Sequence, residues 1–209
     1  MDDDLKKSIL KTGTTILGIV CKDGVVMASD NRVSIGQGLI ISKNMEKVFP
    51  LNEYLLIAGC GSATEFQKVS KILTAELKLK QLRSKSRPTV QQSASLLSNV
   101  QVTQSAFILG GLDENGVVSL YEITGGFLNK VEEYTASVGS GMPYVLGLLE
   151  RQYKKDLSVK EGIELAIEAI KSSTQRDSAS GNGLEVYTIT KEGMKKAISQ
   201  KITSTFENK

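Results

Sequence analysis

The distribution of apolar and polar residues predicts two kinds of segment that alternate along the chain. Short runs of apolar and β-branched residues, separated by Asp-Gly, Asn-Gly or Glu-Gly pairs, indicate antiparallel strands joined by hairpin turns. Longer stretches with apolar residues three or four positions apart indicate helices. The predicted strands are at 14–21, 25–28, 39–41, 54–58, 106–109, 117–123, 184–190 and 194–201, and the predicted helices follow Ser62 and Thr89 and then span 143–154 and 159–174.

Polar residues predict where these helices begin. Ser62 with Glu65, and Ser158 with Glu161, have the spacing of a capping box, in which each side chain bonds the other residue's backbone N–H. Thr89 is placed to cap the second helix. The order of strands, two helices, strands, two helices and strands predicts a single α+β domain. We expect a four-layer α-β-β-α sandwich of antiparallel sheets flanked by helices.

The composition indicates a folded domain without a membrane or nucleic-acid partner. Of 209 residues, 40% are hydrophobic and 23% are charged, which allows a sizeable core. The net charge is only +3, and the basic cluster between Lys78 and Arg87 lacks the interleaved aromatic residues of single-strand binders. No apolar run approaches the ~18 residues of a membrane span, and the N-terminus has no apolar signal-peptide core. We therefore expect a cytoplasmic protein.

The absence of histidine restricts the possible chemistry most strongly. Without histidine the chain has no Ser-His-Asp or Cys-His catalytic group and no His-Glu-x-x-His zinc site. Its two cysteines, Cys21 and Cys60, are too few for a four-ligand zinc site, and we expect them to be free thiols. If the protein is a hydrolase, its general base must be a carboxylate, a lysine or an α-amine.

Five short motifs follow one another through most of the chain and together resemble one family. They are Thr12-Gly13-Thr14-Thr15, Ala28-Ser29-Asp30-Asn31-Arg32, Glu46-Lys47-Val48-Phe49, Gly139-Ser140-Gly141-Met142-Pro143 and Arg176-Asp177-Ser178-Ala179-Ser180-Gly181. In order and spacing they resemble proteasome β-type subunits, which are threonine proteases of the N-terminal nucleophile hydrolase class. The short chain and simple N-terminal segment are more similar to archaeal than to eukaryotic members. Motifs in series are far more specific than any one of them alone.

The resemblance implies that Thr14 is the nucleophile and is exposed by autocatalytic cleavage after Gly13. Residues 1–13 would then be a propeptide and residues 14–209 a single hydrolase domain. The free α-amine of Thr14 would act as the general base, because its ordinary pKa of about 7.7–8.0 lies near working pH. Such an amine exists only after the cut, so the propeptide would block the base as well as the active site.

The resemblance also assigns supporting roles around Thr14. Lys47 would favour the ionised hydroxyl, and Asp30 would keep Lys47 charged and oriented. Arg32 would brace this cluster. The residues expected to hydrogen-bond around the Thr14 amine are Ser140, Asp177 and Ser180.

Two glycines compete for the oxyanion hole on sequence alone. Gly59 and Gly61 both precede the helix that begins at Ser62, where backbone N–H groups and the helix dipole favour a developing negative charge. The spacing from Lys47 and the immediate position before the helix favour Gly61.

By the same resemblance, Val33, Met45, Gly59 and Ala63 line the first specificity pocket. We expect this pocket to be roomy and to accept large apolar side chains, because Gly59 would leave its floor open. The backbone of Ser34 would pair with an extended substrate as an added strand. The stretch Ile35-Gly36-Gln37-Gly38 carries one residue more than the family pattern, so the loop beside the substrate channel is expected to differ.

The family implies partners and leaves alternatives open. Related subunits form stacked seven-membered rings with α subunits and other β subunits, receive unfolded polypeptides from a regulatory ATPase cap, and need no cofactor or metal. One alternative is an unprocessed, catalytically silent β subunit of the same particle. A second is a non-enzymatic α+β binding domain, and a third is a different amidohydrolase with an N-terminal nucleophile.

Overall fold

The computed structural model describes residues 13–35 and 39–202. Residues 1–12 of the predicted propeptide, and residues 36–38 of the predicted channel loop, lie outside the described residues. The strands are β1 (Ile16–Cys21), β2 (Gly24–Asp30), β3 (Val33–Ile35), β4 (Leu39–Ser42), β5 (Val48–Asn52), β6 (Leu55–Gly61), β7 (Ser105–Leu112), β8 (Val118–Thr124), β9 (Phe127–Val131), β10 (Tyr134–Ala136), β11 (Gly183–Thr190) and β12 (Gly193–Lys201). The helices are α1 (Ala63–Ser84), α2 (Val90–Ser98), α3 (Met142–Gln152) and α4 (Val159–Arg176).

Two five-stranded antiparallel sheets form the middle of the molecule. The first has the order β10-β1-β2-β11-β12 and the second has the order β5-β6-β7-β8-β9. Strands β3 and β4 form a separate two-stranded hairpin. Helices α3 and α4 cover the first sheet, and α1 and α2 cover the second. The predicted α-β-β-α sandwich is therefore confirmed.

Three apolar clusters hold the four layers together. Leu17, Val26 and Ala28 face Ala166 and Ile170 of α4 between the first sheet and its helices. Side chains of β1 and β2 that point the other way meet the second sheet in a central cluster. A third cluster fills the space between the second sheet and helices α1 and α2. Because successive strand residues point to opposite faces, a strand buried on both faces reads as one continuous apolar run.

Four strands were not predicted from the sequence. Strand β5 contains Pro50, which lacks a backbone N–H and argues against a central strand; in the structure β5 lies at the edge of its sheet, where proline is tolerated. Strands β3 and β10 have only three residues each. Strand β9 carries polar residues on an exposed edge. The missed strands are thus short or peripheral, and the predicted central strands are present.

The predicted helix starts are confirmed, with one correction. Thr89 caps α2 and Ser158 caps α4, each in a complete capping box. Ser62 accepts the Glu65 N–H at the start of α1. The reciprocal bond is absent there, because the Glu65 carboxylate instead accepts three hydrogen bonds from Thr103 and Gln104. Glu65 therefore ties the α1 start to the segment before β7.

The antiparallel registers bring several element ends together at one end of the sandwich. Ile16 at the start of β1 lies opposite Ser29 near the end of β2, and Leu184 at the start of β11 lies opposite Asp30. In the second sheet, Val48 at the start of β5 lies opposite Ala58 near the end of β6. Residues that precede β1 and β5 or end β2 and β6 therefore converge at this end.

We next examined the cysteines and the possible metal ligands of the described residues. Cys21 and Cys60 are free and buried, and burial raises the pKa of the Cys21 thiol to about 12. Among residues 13–35 and 39–202, no three His, Cys, Asp or Glu side chains are grouped as metal ligands. In the same ranges, no helix has the length and apolarity needed to cross a membrane.

The capping box of α4 gives a direct test of helix-end energetics. Ser158 Oγ accepts the Glu161 N–H at 3.3 Å and the Ser158 N–H donates to Glu161 Oε2 at 2.8 Å. Replacing Ser158 with alanine removes the side-chain acceptor and should lower the free energy of unfolding by about 1 kcal/mol. Urea denaturation of the full chain measures the change. Ser172→Ala, near the other end of α4, is the control and should change stability by less than about 0.5 kcal/mol.

Candidate active site

Thr14 lies just before β1 with its side chain almost fully buried. Only 5% of its surface is exposed. Its Oγ1 hydroxyl donates a hydrogen bond of 2.6 Å to the carbonyl oxygen of Gly13. Gly13 in turn forms an isolated antiparallel bridge with Ser34 of β3. The hydroxyl is thus held beside the peptide bond that precedes it.

Gly13 passes through a gap too narrow for any side chain. A Cβ atom on Gly13 would lie 2.0 Å from Cβ of Ala179, 2.4 Å from Oγ of Ser34 and 2.5 Å from the carbonyl oxygen of Ala179. These contacts are well inside van der Waals distance, and two of the three atoms cannot rotate away. The glycine is therefore required for the Gly13–Thr14 bond to lie where it does.

Lys47, which lines the same pocket as Thr14, belongs to a buried ion pair. Lys47 Nζ contacts Asp30 Oδ1 at 2.6 Å, and the two side chains are 4% and 0% exposed. Burial lowers the pKa of the Lys47 ammonium from its ordinary value, and the Asp30 carboxylate opposes that shift. Asp30 Oδ1 also accepts the Thr15 N–H at 2.8 Å. The carboxylate therefore positions both the lysine and the residue that follows Thr14.

The second oxygen of Asp30 fixes two further backbone segments. Asp30 Oδ2 accepts the Arg32 N–H at 2.9 Å and the Gly181 N–H at 3.0 Å. With Lys47 and Thr15 on the first oxygen, the carboxylate has four donors. A buried carboxylate with this many donors is fully compensated and remains a rigid anchor.

Ser140 and Asp177 connect to the backbone nitrogen of Thr14. The Thr14 N–H donates to Ser140 Oγ at 3.2 Å, and Ser140 Oγ donates to Asp177 Oδ2 at 2.5 Å. Ser180 Oγ also donates to Asp177 Oδ2, at 2.6 Å. We expected Ser180 to hydrogen-bond near the Thr14 nitrogen. Instead, the Ser180 hydroxyl lies 2.7 Å from Thr15 Oγ1 and forms a hydrogen bond with it. Its contribution is to orient Asp177 and Thr15.

Arg32 braces the loop at 177–182 rather than the lysine itself. Its Nε donates to Asn182 Oδ1 at 2.8 Å and its Nη1 donates to the carbonyl of Ser178 at 2.6 Å. Asn182 has a left-handed backbone conformation, with φ of 63°, which asparagine tolerates better than most residues. The predicted support of the site by Arg32 is therefore indirect and acts through this loop.

The expected specificity residues line one pocket with Thr14. Val33, Met45, Gly59 and Ala63 surround it, together with Lys47 and Gly61, and the remaining lining residues are Glu46, Cys60, Ser62 and Phe66. Gly59 does not leave its floor open, because the Phe66 ring occupies that space: a Cβ on Gly59 would lie 2.2 Å from a ring carbon of Phe66. The expectation of a roomy pocket was wrong for this reason.

Gly59 and Gly61, the two candidates for the oxyanion hole, differ in backbone conformation and position. The Gly59 N–H donates to the carbonyl of Lys47 at 3.2 Å, so it is already committed to holding the lysine segment. Gly61 ends β6, lines the pocket, and has a φ of 103°, which favours glycine. It directly precedes Ser62, the N-cap of α1. The assignment of the oxyanion hole to Gly61 rests on this conformation and on this position at the start of α1, and it stays a prediction.

Two further groups hold the segment that carries Lys47 in place, and no sequence pattern predicts either role. The backbone carbonyl of Asn31 accepts a hydrogen bond of 3.0 Å from the Met45 N–H, and the Asn31 side-chain amide donates one of 3.3 Å to the Met45 carbonyl. Lys196 of β12 contacts the carboxylate of Glu46 at 2.7 Å. Asn31 stands in a recognised motif, but its partner lies 14 residues away, and that contact exists only in the folded chain.

Most of the chain is similar in sequence to known proteins. A family model described as proteasome subunit matches residues 10–189. A proteasome subunit beta of Nanoarchaeum equitans is 41% identical, over 88% of this chain and 96% of that protein. A proteasome subunit beta 2 of Pyrococcus abyssi is 38% identical, over 91% of this chain and 93% of that protein. A proteasome subunit beta of Methanocaldococcus vulcanius is 36% identical, over 94% and 90% respectively.

Loss of the Asp30 charge should destabilise the fold strongly. Asp30→Asn leaves Lys47 buried without a counter-ion, and breaking one side of a buried pair typically costs about 3–5 kcal/mol. Urea denaturation of the full chain measures the loss. The matched control is Glu168→Gln, which breaks an exposed pair with Lys171 and should cost less than about 1 kcal/mol. Equal effects of the two substitutions would contradict the role given to Asp30.

Proposed function

Because the chain belongs to the proteasome subunit family, we propose that it is a catalytic β subunit, a threonine-type endopeptidase that uses Thr14 Oγ1 as its nucleophile. The observation that carries this proposal is the hydrogen bond of 2.6 Å from the Thr14 hydroxyl to the Gly13 carbonyl. It holds the nucleophile against the bond that must be cut first. The buried Lys47–Asp30 pair beside it supplies the positive charge that favours an ionised hydroxyl.

The first reaction is cleavage of the chain's own Gly13–Thr14 bond. Thr14 Oγ1 attacks the Gly13 carbonyl carbon and forms a new C–O bond. Collapse of the tetrahedral intermediate breaks the C–N bond, and the hydroxyl proton passes to the departing nitrogen. Water then hydrolyses the resulting ester, which releases residues 1–13 and leaves Thr14 with a free hydroxyl and a free α-amine.

The second reaction is hydrolysis of a substrate peptide bond by the same hydroxyl. The freed α-amine takes the hydroxyl proton, and its ordinary pKa of about 7.7–8.0 suits this task near neutral pH. The Thr14 nitrogen already contacts Ser140 Oγ, which is bonded to Asp177. These two side chains would orient the amine, and the protonated amine then passes its proton to the leaving nitrogen of the substrate. The acyl-enzyme is hydrolysed by water, as in other covalent hydrolases.

Lys47 and Gly61 would each stabilise a different negative charge that develops during the reaction. The Lys47 ammonium, held by Asp30, stabilises negative charge on Thr14 Oγ1. The Gly61 N–H, next to the start of α1, stabilises the oxyanion that forms on the substrate carbonyl. Cys60 also lines this pocket, but burial raises the pKa of its thiol and keeps it protonated.

Substrate and assembly follow from the family. The bridge between Gly13 and Ser34 shows how an extended segment can pair with β3, and a substrate strand would take the same course. We propose that the subunit joins α subunits and other β subunits in stacked seven-membered rings in the cytoplasm. Unfolded polypeptides would enter that chamber with the help of an ATPase cap.

Removal of the Thr14 hydroxyl should stop both reactions. In particles assembled with the α partners, Thr14→Ala should keep the full mass of residues 1–209 and show no peptide hydrolysis. Thr14→Ser keeps a hydroxyl and is the matched control, which should be cut to residues 14–209 and remain active. Intact-mass spectrometry and a fluorogenic peptide assay measure the two steps. A wild-type subunit that stays at full mass in the particle would instead establish the catalytically silent alternative.

A side chain at position 13 should slow the first reaction selectively. Gly13→Ala forces the Gly13–Thr14 bond out of its gap, and a shift of about 1 Å can cost on the order of 100-fold in rate. Time-resolved intact mass measures the cutting rate. Ala179→Gly, combined with Gly13→Ala, removes the nearest clash and should restore part of the rate. Peptide hydrolysis per cut subunit should match wild type, because residue 13 is then gone; unchanged cutting by Gly13→Ala would refute this steric role.

A further inference from the structure

We propose that Phe66 sets the depth of the pocket beside Thr14, so that the pocket accepts small aliphatic side chains and rejects large aromatic ones. This inference rests on the proposed function, since it concerns which peptide bond Thr14 attacks. It concerns a helix residue that the sequence pattern places among ordinary core positions of α1. Its side chain nevertheless forms part of the pocket lining.

The contact between Gly59 and Phe66 carries the inference. A glycine in a pocket wall normally leaves open space, but a Cβ on Gly59 would lie within 2.2 Å, 2.7 Å and 3.2 Å of three Phe66 ring carbons. The ring therefore lies directly against the glycine backbone. Gly59 makes room for Phe66 and not for a substrate side chain.

The Phe66 ring is fixed in that position by its neighbours. Only 6% of Phe66 is exposed. Its ring lies 5.2 Å from the ring of Phe49 and 6.2 Å from the ring of Phe107, at distances typical of aromatic pairs. Rotation out of the pocket would require movement in this packed cluster, so a substrate side chain does not simply displace the ring.

The space that remains suits a small apolar group. The free volume is about 30 Å³, and one water molecule needs roughly 10–15 Å³ on this measure. Val33, Met45 and Ala63 give apolar walls. A side chain the size of alanine or valine fits this space, whereas a phenylalanine or tyrosine ring does not. The preferred cleavage is therefore after small aliphatic residues.

The test compares peptide substrates on the assembled particle with its α partners. Four fluorogenic peptides differ only in the residue before the cut, which is Ala, Val, Leu or Phe. The wild type should give a higher kcat/KM for Ala and Val than for Phe, by on the order of 10-fold or more. Phe66→Ala should raise the ratio of kcat/KM for Phe to that for Val by a similar factor.

Control variants separate pocket depth from core damage. Leu77→Ala removes a buried apolar side chain from the same helix and the same cluster, three turns from Phe66 and outside the pocket lining, so it should leave the Phe-to-Val ratio within about twofold of wild type. If Phe66→Ala does not assemble, Phe66→Leu keeps an apolar core residue and should shift the ratio in the same direction.

The possible outcomes distinguish this inference from the function on which it rests. If cut wild-type particles hydrolyse none of the peptides, the proposed function fails. If they hydrolyse the Phe peptide best, or if both Phe66 variants keep the wild-type ratio, the function stands and the role of Phe66 is overturned. A changed ratio in the Phe66 variants with an unchanged ratio in Leu77→Ala supports the proposal.

Discussion

The site depends on one buried carboxylate. Asp30 has no exposed surface, and its two oxygens accept hydrogen bonds from Lys47, Thr15, Arg32 and Gly181. These four donors come from four separate stretches of chain. An isolated carboxylate in this position would be very costly, so the donors and the carboxylate stabilise one another or fail together. The position of Thr14 follows, because Thr15 is held directly by Asp30.

The uncut chain already contains the arrangement that the proposed reaction needs. Thr14 N contacts Ser140, Ser140 contacts Asp177, and Lys47 pairs with Asp30 while Gly13 is still attached. A preorganised site does not have to reorganise its dipoles during the reaction, which is the main source of electrostatic catalysis. Removal of the segment before Thr14 would therefore change one group, from an amide to an amine, and leave its supports in place.

Much of this could be predicted from the sequence, because long amphipathic helices and doubly buried strands leave strong patterns. The helices and the central strands were predicted, whereas β3, β5, β9 and β10 are short, carry a proline or lie at an edge. The motifs named Lys47, Asp30, Ser140 and Asp177, and the structure brings these residues together around Thr14 and Thr15. The hydrogen bond between Ser180 and Thr15 and the contacts of Asn31 with Met45 depend on distant segments meeting, and local spacing carries no information about them.

The depth of the pocket cannot be predicted from Gly59 or Phe66 taken singly. Gly59 alone indicates an open floor, and Phe66 alone indicates a helix residue in the core. Together they form one contact in which the ring takes the place of the absent side chain. A larger residue at 59 would require a smaller one at 66, because a Cβ at 59 and a ring at 66 cannot occupy the same space. Pocket depth is therefore a property of the pair, and substitutions at the two positions should be strongly non-additive.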